Sequence, residues 1–380
     1  MIVKTKKKIN ITDLAKKLHL SVSSISRALN GHKNISEKTR GKILKLAKKY
    51  NYVPDPSARR LASKKSDTIA FIATTSPKAP DFVLLEFLTG ISMGIKDSNT
   101  EFIVKLTLSE EDEINYYEKL IRTKQADKFV FYKTKKKDPR ITMLKKNHIN
   151  FVSWGREKNE KGYAWIDMDN HKSIELLMHR LLIFGHKKIA LINVHESFNY
   201  GYQRKKAYEK MLKKNNMIVN KDYYQESLTA TAANGISLTK FLLDLNNPPT
   251  AIICSLDKFF IGCLQECKNR NLVVGKNISV VGYNDYDYYL SSQNLTYISH
   301  PLAQMGVDSV NILKKIENGY HPDEVSKLIE PILHEGKSDG PLKNQLKKYA
   351  VSVQKKLLRF TLATLTTKKT QPEIVRRESN

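Results

Sequence analysis

The sequence predicts two architectures in one chain, an all-α head of short helices near the N-terminus and a long α/β body. Three observations predict it. Short helical patterns with capping residues fill residues 9–52, a proline-flanked polar stretch follows at 53–66, and apolar strand patterns alternate with helical patterns over residues 67–340. A chain of 380 residues suits two or three domains. We therefore expect a head, a linker, a body and an extension at residues 341–380.

The positive charge of the chain is concentrated in its first 66 residues. The net charge is +27; residues 1–66 hold 18 Lys and Arg against 3 Asp and Glu, and residues 341–380 hold 10 against 2. The body is therefore close to balance. A general lysine bias explains an excess of bases but not the near absence of acids from the head. This distribution is typical of a nucleic-acid contact surface.

The remaining composition excludes several classes of protein. Cys254, Cys263 and Cys267 match no zinc or redox spacing, and the last two lie one helical turn apart in an apolar stretch, which predicts core packing. No apolar run approaches the roughly 18 residues that cross a bilayer, and the basic cluster at residues 4–8 does not lead into a secretory signal. We expect a cytoplasmic protein without a membrane segment, a metal or another cofactor.

The first helix of the head is predicted over residues 12–18. Leu14, Ala15 and Leu18 share one of its faces, and His19-Leu20-Ser21 then breaks the pattern. The small side chain of Ala15 allows a second helix to cross closely.

The second helix is predicted over residues 22–29, with Ile25 and Leu29 turned inward. Ser21 is a good N-cap for it because a serine hydroxyl accepts one of the unpaired amide hydrogens. Ser36 caps a third helix, which runs through Ile43, Leu44 and Ala47. Three short helices with a three-residue turn between the first two form a helix-turn-helix unit.

The head resembles a known family over residues 9–66. "INITDLAKKLHLSVSSISRALNG", followed by "ISEKTRGKILKLAKKYNYVPDPSARRLASKKS", is similar to the N-terminal segment of the lactose-repressor (LacI/GalR) family of transcriptional regulators. The match combines the three-helix head with the proline-flanked "PSARRLAS" segment. The resemblance implies a sequence-specific DNA-binding regulator.

Within such a head, position assigns a role to each polar side chain. Val22 and Ser23 open the second helix and are expected to face base edges in the major groove, and Arg27 can reach a guanine or a phosphate. Phosphate contacts are expected from Ser21, Asn30, Asn34, Ser36 and Thr39. The alternatives are pure capping for the two serines, which is compatible with phosphate contact, and a solvated surface side chain for Arg27.

The segment at residues 53–66 is the expected hinge. Pro54 and Pro56 flank a stretch that is too short to form a stable isolated helix, which needs about 12–15 residues. In the family this hinge becomes helical on DNA and inserts paired leucines into the minor groove. Leu61 matches that leucine, and Arg59 and Arg60 are then expected beside phosphates. The alternative is a plain interdomain linker.

The body shows strand patterns separated by amphipathic helical patterns, such as those at residues 172–184, 202–215 and 257–270. Strands are predicted at 68–74, 101–106, 128–132, 150–154, 188–193, 250–255, 278–283 and 295–299. Apolar strands alternating with helices favour parallel sheets that are covered on both faces.

The body resembles the periplasmic-binding-protein-like core of the same family. "FGHKKIALI" (184–192), "SVVGYND" (279–285) and "YISHPLAQMG" (297–306) carry the resemblance. It implies a type I core of two Rossmann-like lobes, with the chain crossing between them near residues 165, 295 and 325. Lobe 1 then comprises about 67–165 and 295–325, and lobe 2 about 166–294 and 326–340. Ligands of such folds bind between the lobes, at the carboxyl ends of the strands.

Nine residues near those strand ends are candidate effector ligands. The aromatic candidates are Phe82, Trp154, Tyr200 and Tyr283, and the polar ones are Arg156, Asp169, Arg204, Asp257 and Asn284. Flat apolar faces with bidentate polar groups suit a sugar ring, and Arg156 and Arg204 align with effector-contacting positions of the family. Each aromatic alone is equally consistent with core packing. The family usually has Asp where this chain has Asn284, which leaves the identity of the effector open.

The extension at residues 341–380 follows the expected closing strand at 331–338. Several of its apolar residues fall near heptad spacing, namely Leu342, Leu346, Tyr349, Val353 and Phe360, and Lys356 interrupts the series. Some family members form tetramers through a C-terminal helix. The extension can equally pack on the body, contact DNA or stay partly disordered.

These observations predict a regulator that acts as a dimer on a palindromic operator. We expect a repressor of carbohydrate-utilisation genes under the control of a small sugar or sugar phosphate. The alternatives are a regulator with a nucleobase or nucleoside corepressor and an architectural DNA binder without an effector. An enzyme is not expected, because the sequence has no nucleophile elbow and no phosphate-binding glycine loop. A secreted solute-binding protein would lack the head.

Overall fold

The structure of the protein is a computed structural model that describes residues 9–29, 34–52, 66–75, 83–284 and 293–342. The chain divides into two compact units, the head at residues 1–66 and the body at residues 67–380. Asn30, Arg59, Arg60, Leu61 and Phe82 lie outside the described residues, as do Asp285 and most of the extension. No helix in the described ranges is long and apolar enough to span a membrane.

The head contains the three predicted helices, α1 (Ile11–Leu18), α2 (Val22–Leu29) and α3 (Glu37–Lys49). Leu14, Ile25 and Ile43, one from each helix, are fully buried and form the centre of its core. The amphipathic spacing of these residues explains why such short helices are stable, since each buries one face against the other two. Leu44 of the third helix is 48% exposed and lies outside this core.

The turn between α1 and α2 is fixed by capping at both ends. His19 ends α1 in the left-handed conformation (φ 51°), and its backbone N–H donates to the carbonyl oxygens of Ala15 and Lys16. Ser21 Oγ accepts from the backbone N–H of Ser24 at 3.1 Å. The expected N-cap hydrogen bond of Ser21 is therefore present.

The described part of the body contains two six-stranded sheets, one for each lobe. Among the described residues, each strand pairing within these sheets is parallel apart from that of β10 with β12. In spatial order, the first sheet is β11 (Lys327–Ile329), β5 (Ala164–Met168), β4 (Asn150–Trp154), β3 (Lys128–Phe131), β1 (Thr68–Thr74) and β2 (Glu101–Thr107). The second is β12 (Ile332–His334), β10 (Tyr297–Ser299), β9 (Ser279–Tyr283), β8 (Ala251–Cys254), β6 (Ile189–Val194) and β7 (Tyr224–Ser227).

Helices connect and cover these strands. They are α4 (Val83–Ile95), α5 (Glu110–Thr123), α6 (Pro139–Lys146), α7 (Asn170–Ile183), α8 (Asn199–Lys214), α9 (Ala232–Leu243), α10 (Asp257–Asn269), α11 (Leu302–Glu317) and α12 (Pro322–Val325). The sheets are covered because their central strands are apolar on both faces, as at β1, where six of seven residues are buried.

Helices α4 and α11 pack closely because glycines lie where they cross. A Cβ atom added to Gly306 would lie 2.2 Å from the carbonyl oxygen of Phe87, and one added to Gly90 would lie 1.9 Å from that of Ala303. Both distances are far shorter than atoms tolerate. The glycine of "YISHPLAQMG" therefore serves helix packing.

The three crossings between lobes lie close to their expected places near residues 165, 295 and 325. The first follows β5, which ends at Met168. The strand at 297–299 pairs with β9 and β12 in the second sheet, so the second crossing follows Ser299. The strand at 327–329 pairs with β5 in the first sheet, so the third crossing follows Ile329. Pairing partners that are distant in sequence set the last two boundaries.

Candidate nucleic-acid interface and ligand cavity

The exposed side of α2 is the candidate interface of the head. Ser21, Val22 and Ser23 are exposed in succession, and Arg27 is exposed one turn later. Val22 is 42% exposed although it is apolar. Because Ile25 is fully buried and fixes the rotation of the helix, these side chains project together from its other side.

Hydroxyl groups mark the beginnings of α2 and α3. Ser21 Oγ lies 2.8 Å from the hydroxyl of Ser23, and Ser36 Oγ lies 2.8 Å from that of Thr39, whose backbone N–H it also accepts at 3.3 Å. Asn34 is exposed just before Ser36. Both serines cap helices, and each lies at a positively polarised helix N-terminus, which attracts phosphate.

A cavity of about 480 Å³ lies between the two lobes of the body. Its wall includes the last residues of β1, β4, β5, β6 and β9, namely Thr74, Trp154, Met168, Val194 and Tyr283. Both sheets therefore direct their carboxyl ends at one space, and its size is ordinary for a small-molecule site.

Five of the nine candidate ligands line this cavity: Trp154, Tyr200, Arg204, Asp257 and Tyr283. The ring of Trp154 lies 4.5 Å from that of Phe87, centroid to centroid, which anchors it in the core of lobe 1. Asp257 opens α10, where its carboxylate accepts the backbone N–H of Lys258 at 2.8 Å. Core packing and exposure to the cavity thus coincide at Trp154.

Arg204 is the most deeply buried basic group among the described residues of the wall. It is 1% exposed; its Nε donates to Asn170 Oδ1 at 2.8 Å and one Nη donates to the carbonyl oxygen of Ser255 at 2.5 Å. The guanidinium lies 4.0 Å from the ring of Tyr283 and 5.2 Å from that of Tyr200. Among the described residues it makes no ion pair, so its charge is held by neutral groups and aromatic faces.

Three of the candidates do not line the cavity. Asp169 caps α7, where its carboxylate accepts the backbone N–H of Lys172 at 2.8 Å. Asn284 is 2% exposed and is not part of the wall. Arg156 turns to carboxylates of its own lobe, at 2.9 Å from Asp167 and 2.8 Å from Glu160. A position at a strand end thus brings a residue near the cavity. Whether the side chain faces the cavity depends on the hydrogen-bond or ion-pair partners that it has nearby.

Asp167, the partner of Arg156, lines the cavity instead. Burial raises the pKa of Asp167 to about 6, although the charge and hydrogen bond of Arg156 oppose this shift. The carboxylate also accepts the backbone N–H of Met168 at 2.9 Å. Asp167 is therefore a carboxyl group of the wall whose burial brings its pKa towards neutrality.

A buried ionic cluster forms another part of the wall, which sequence reasoning missed. The guanidinium of Arg140 binds Asp138 through two hydrogen bonds of 2.8 and 2.9 Å and Glu113 at 2.7 Å. The other carboxylate oxygen of Glu113 accepts the hydroxyl of Thr74 at 2.6 Å. Burial alone raises the pKa of Asp138, but Arg140 outweighs burial and holds it below its usual value.

The sequence contained a signal for only part of this cluster. Thr74 ends a predicted strand, and the strand-end rule that selected Trp154 applies to it equally. Glu113 and Arg140 lie within α5 and α6 and carry no such mark. Only the folded chain brings them together.

The two lobes also contact each other beside the cavity. The backbone N–H of Asn199 donates to the carbonyl oxygen of Thr134 at 3.2 Å, and that of Lys136 donates to the carbonyl oxygen of Ser197 at 3.2 Å. These bonds join lobe 1 to the beginning of α8 in lobe 2. They are distinct from the three covalent crossings.

The side chain of Lys136 strengthens this contact, which we call the interlobe latch (residues 134–136 with 196–202). Its Nζ lies 3.6 Å from Glu196 Oε1 and 4.5 Å from the ring centroid of Tyr202, both in lobe 2. Glu196 is shared with Lys205 of its own lobe at 3.0 Å. The hydrogen bond of Lys205, with Lys136 adding to it, lowers the pKa of Glu196.

Family models match both parts of the chain. Residues 10–55 match the family described as bacterial regulatory proteins, lacI family, and residues 178–338 match the periplasmic binding protein-like domain. The transcriptional regulator AglR of Rhizobium meliloti is 27% identical over 76% of this chain and 81% of its own length. The transcriptional regulator RafR of Escherichia coli is 26% identical over 86% of this chain and 98% of its own length.

Solved structures share the fold. A regulatory protein of the LacI family from Chloroflexus aggregans superposes with a TM-score of 0.65 and 26% identity, over 72% of this chain and 99% of that protein. The lac repressor dimer bound to operator and the anti-inducer ONPF superposes with a TM-score of 0.75 and 20% identity, over 88% of this chain and 100% of that one. AglR and RafR are both named as transcriptional regulators, not as enzymes.

Proposed function

Because this chain belongs to the lacI family of bacterial regulatory proteins and is a DNA-binding transcriptional regulator, we propose that it represses carbohydrate-utilisation genes in the cytoplasm. In this proposal it binds a palindromic operator as a homodimer and responds to a small sugar. The observation that carries the proposal is the cavity between the lobes, with aromatic faces and a buried guanidinium, in the same chain as an exposed recognition helix.

The cavity favours a neutral sugar over a sugar phosphate. Among the described residues, its lining contains five acidic and five basic side chains, which together offer no net charge to an anion. Arg140 is committed to Asp138 and Glu113, which leaves Arg204 as the buried guanidinium available to a ligand hydroxyl. Trp154 and Tyr283 offer flat faces to a sugar ring. One structure with this fold, at 20% identity and a TM-score of 0.65, is titled as the regulator CelR in complex with cellobiose.

A nucleobase or nucleoside is the second candidate effector. The same aromatic side chains would stack on a base, and Asn284, where the family usually has Asp, removes one negative charge next to Tyr283. In that case the ligand would act as a corepressor. Effector-independent architectural binding is the third candidate, and the cavity argues against it.

An exposed apolar surface of lobe 1 supports the homodimer. Leu85 and Met93 of α4 are 64% and 59% exposed, and Val104 and Leu106 of β2, the edge strand of the first sheet, are 43% and 50% exposed. Exposed apolar patches and unpaired sheet edges are typical of association surfaces. We propose that two chains pair here, with the extension at residues 341–380 as the site of any further association into tetramers.

The hinge completes the proposal. We propose that residues 53–66 insert Leu61 into the minor groove, with Arg59 and Arg60 beside phosphates. Asn30 joins Asn34, Ser36 and Thr39 as a phosphate contact. A ligand that changes the angle between the lobes would then change the spacing of the two hinges, and with it the affinity for the operator.

Selection of bound sequences from random DNA tests the proposal. A palindrome with two half-sites supports the dimeric regulator, and a collection without a common motif would favour the architectural binder. A thermal-shift screen should follow, with neutral sugars, their phosphates, nucleobases and nucleosides. An operator affinity that falls with the stabilising ligand identifies an inducer, and one that rises identifies a corepressor.

A further inference from the structure

A buried lysine lies at the place where the chain enters the body. Lys128, the first residue of β3, is 5% exposed, and its Nζ donates to Asp67 Oδ1 at 2.8 Å and to Glu317 Oε1 at 3.1 Å. Burial alone lowers the pKa of Lys128, but the hydrogen bonds from the two carboxylates outweigh it and raise the pKa above its usual value. A charged lysine therefore joins two carboxylates that are far apart in the sequence.

Asp67 directly follows the predicted hinge and begins the body. Its backbone is in the left-handed conformation, with φ 47°. This conformation costs free energy for a residue other than glycine, so it persists where surrounding contacts hold it. The carboxylate of Asp127 accepts the backbone N–H groups of Asp67 and Thr68 at 3.1 and 2.9 Å. The hydroxyl of Thr100 donates to Asp67 Oδ1 at 3.1 Å. Backbone and side chain of Asp67 are thus both fixed.

Glu317 connects this place to the crossing between the lobes. It is the last residue of α11, which begins three residues after β10, where the chain has just crossed from lobe 2. The close packing of α11 on α4 makes the helix a rigid element of lobe 1. A movement of α11 at the crossing therefore reaches Glu317, and through Lys128 it reaches Asp67.

We propose that Asp67, Lys128 and Glu317 form a positioning cluster that fixes the direction in which the chain leaves the body towards the hinge. The three residues need not touch DNA or ligand. Through Lys128 they tie the side chain of the first residue of the body to the helix that follows the second crossing. This inference rests on the proposed action of the hinge on operator DNA.

The substitution Lys128→Met tests the cluster in the full-length protein. It keeps the length of the side chain and removes the charge that joins Asp67 to Glu317. The control is Lys327→Met, because Lys327 is also the first residue of a first-sheet strand and is also ion-paired to α11, through Asp308. Asp67→Asn is the second variant, since asparagine tolerates the left-handed conformation and the change isolates the loss of charge.

The measurements are affinity for the selected palindrome, affinity for a scrambled duplex of equal length, and the thermal unfolding midpoint. We expect Lys128→Met and Asp67→Asn to lower palindrome affinity by about tenfold relative to the control, with unchanged affinity for the scrambled duplex. A double variant should lose no more than Lys128→Met alone, because the two residues act as one unit.

Other outcomes overturn the assignment. If both variants bind the palindrome as the control does, the cluster does not position the hinge. If palindrome and scrambled affinities fall together with the unfolding midpoint, its role is only structural. If Lys128→Met does not fold, the result for Asp67→Asn tests the proposal, because Lys128 still pairs with Glu317 in that variant. A wild-type protein that does not prefer the palindrome contradicts the proposed function, which is a separate result.

Discussion

Single residues of this protein acquire their roles from their partners more than from their type. Arg156 follows the end of β4 and Arg204 lies within α8. Arg156 is neutralised by Asp167 and Glu160, whereas Arg204 is held by the neutral groups of Asn170 and Ser255. The sequence predicted both as ligands by the same rule. It could not distinguish them, because the partner carboxylate Asp167 reaches Arg156 only when β5 has formed beside β4.

Replacing Arg204 by Met should remove ligand binding without removing DNA binding. A hydrogen bond to a charged group contributes about 1.5–3 kcal/mol, so the affinity for the stabilising sugar should fall by about tenfold or more. Isothermal titration calorimetry measures this loss. Lys210→Met is the control, since Lys210 lies on the same helix and its side chain is 70% exposed. Equal sugar affinities for the two variants would refute the ligand role of Arg204.

Arg27→Ala should weaken operator binding by about 1–3 kcal/mol and relax specificity at one base pair of each half-site. The reason is that Arg27 is exposed on α2 one turn after Ser23 and can reach a base edge. Binding to a panel of single-base operator variants measures both effects. Lys16→Ala is the control. It removes an exposed basic side chain of α1 and should weaken binding to all DNA sequences alike. A uniform loss for Arg27→Ala would assign it to phosphate contact.

Asp167 should make the body more stable as the pH falls below neutrality. The pKa of Asp167 is about 6 in the folded protein against an ordinary value of 3.8, so between these two pH values the folded state binds a proton that the unfolded state does not. The free energy of unfolding therefore rises as pH falls through 6 towards 4, by at most about 3 kcal/mol from this group. The buried His186, whose pKa is lowered by burial, acts in the opposite direction below about pH 6.5.

The variant Asp167→Asn separates these contributions. Urea unfolding at pH 7 and pH 4.5 should show the wild type gaining stability relative to the variant as the pH falls, because the histidine contribution is common to both proteins. Glu160→Gln, which removes the exposed partner of Arg156, should follow the wild type. A wild-type advantage that is constant or shrinks towards pH 4.5 would show that the pKa of Asp167 is not raised.

At the scale of elements, the sequence predicts strands with a clear apolar run well and misses others, which include the central strand β5 and the edge strands β7 and β11. Strands such as β1 and β4 have the predicted bounds, because buried apolar runs are unambiguous in a parallel sheet. β11 has the sequence Lys-Leu-Ile with two exposed residues, and β7 has Tyr-Gln-Glu-Ser, all half-buried. Such segments become strands because a neighbouring strand offers hydrogen bonds, and their own sequence contains no pattern that predicts this pairing.

Gly306→Ala should destabilise the body through the packing of α11 on α4. The added methyl group would lie 2.2 Å from a backbone oxygen of α4, so the helices must separate, at a cost of about 1–3 kcal/mol. Gly41→Ala is the matched change in α3, where nothing lies within 4 Å of the new atom, and it should stabilise the head by about 0.5–1 kcal/mol. Denaturant unfolding measures both. A neutral Gly306→Ala would mean that the two helices can move apart freely.

At the scale of the whole molecule, the cavity wall is assembled from segments that are far apart in the sequence. Thr74 and Trp154 come from lobe 1 and Arg204 and Tyr283 from lobe 2, and the interlobe latch holds the two walls together beside them. The resemblance to a family predicted the two lobes and the place of the cavity. It did not predict the latch, because backbone hydrogen bonds between residues 134–136 and 197–199 depend on loop geometry rather than on residue type.

The latch should control how fast a ligand exchanges. Lys136→Met removes the ion pair to Glu196 and the contact with Tyr202 but keeps the backbone hydrogen bond to Ser197. An exposed ion pair and a cation–π contact together contribute about 1 kcal/mol, so dissociation of the bound sugar should accelerate about fivefold. Because Trp154 lines the cavity and Trp165 is the other tryptophan of the chain, stopped-flow fluorescence in a Trp165→Phe background reports on the cavity.

Lys206→Met is the matched control for the latch. Lys206 also lies over the ring of Tyr202, at 5.8 Å, but it pairs with Glu209 and belongs to lobe 2, so its removal does not affect the contact between lobes. If both variants release the sugar at the wild-type rate, the side chain of Lys136 does not hold the lobes together. If only Lys136→Met releases it faster, the cavity opens by separating the walls at the latch, and the lobe movement on which control of DNA binding depends begins there.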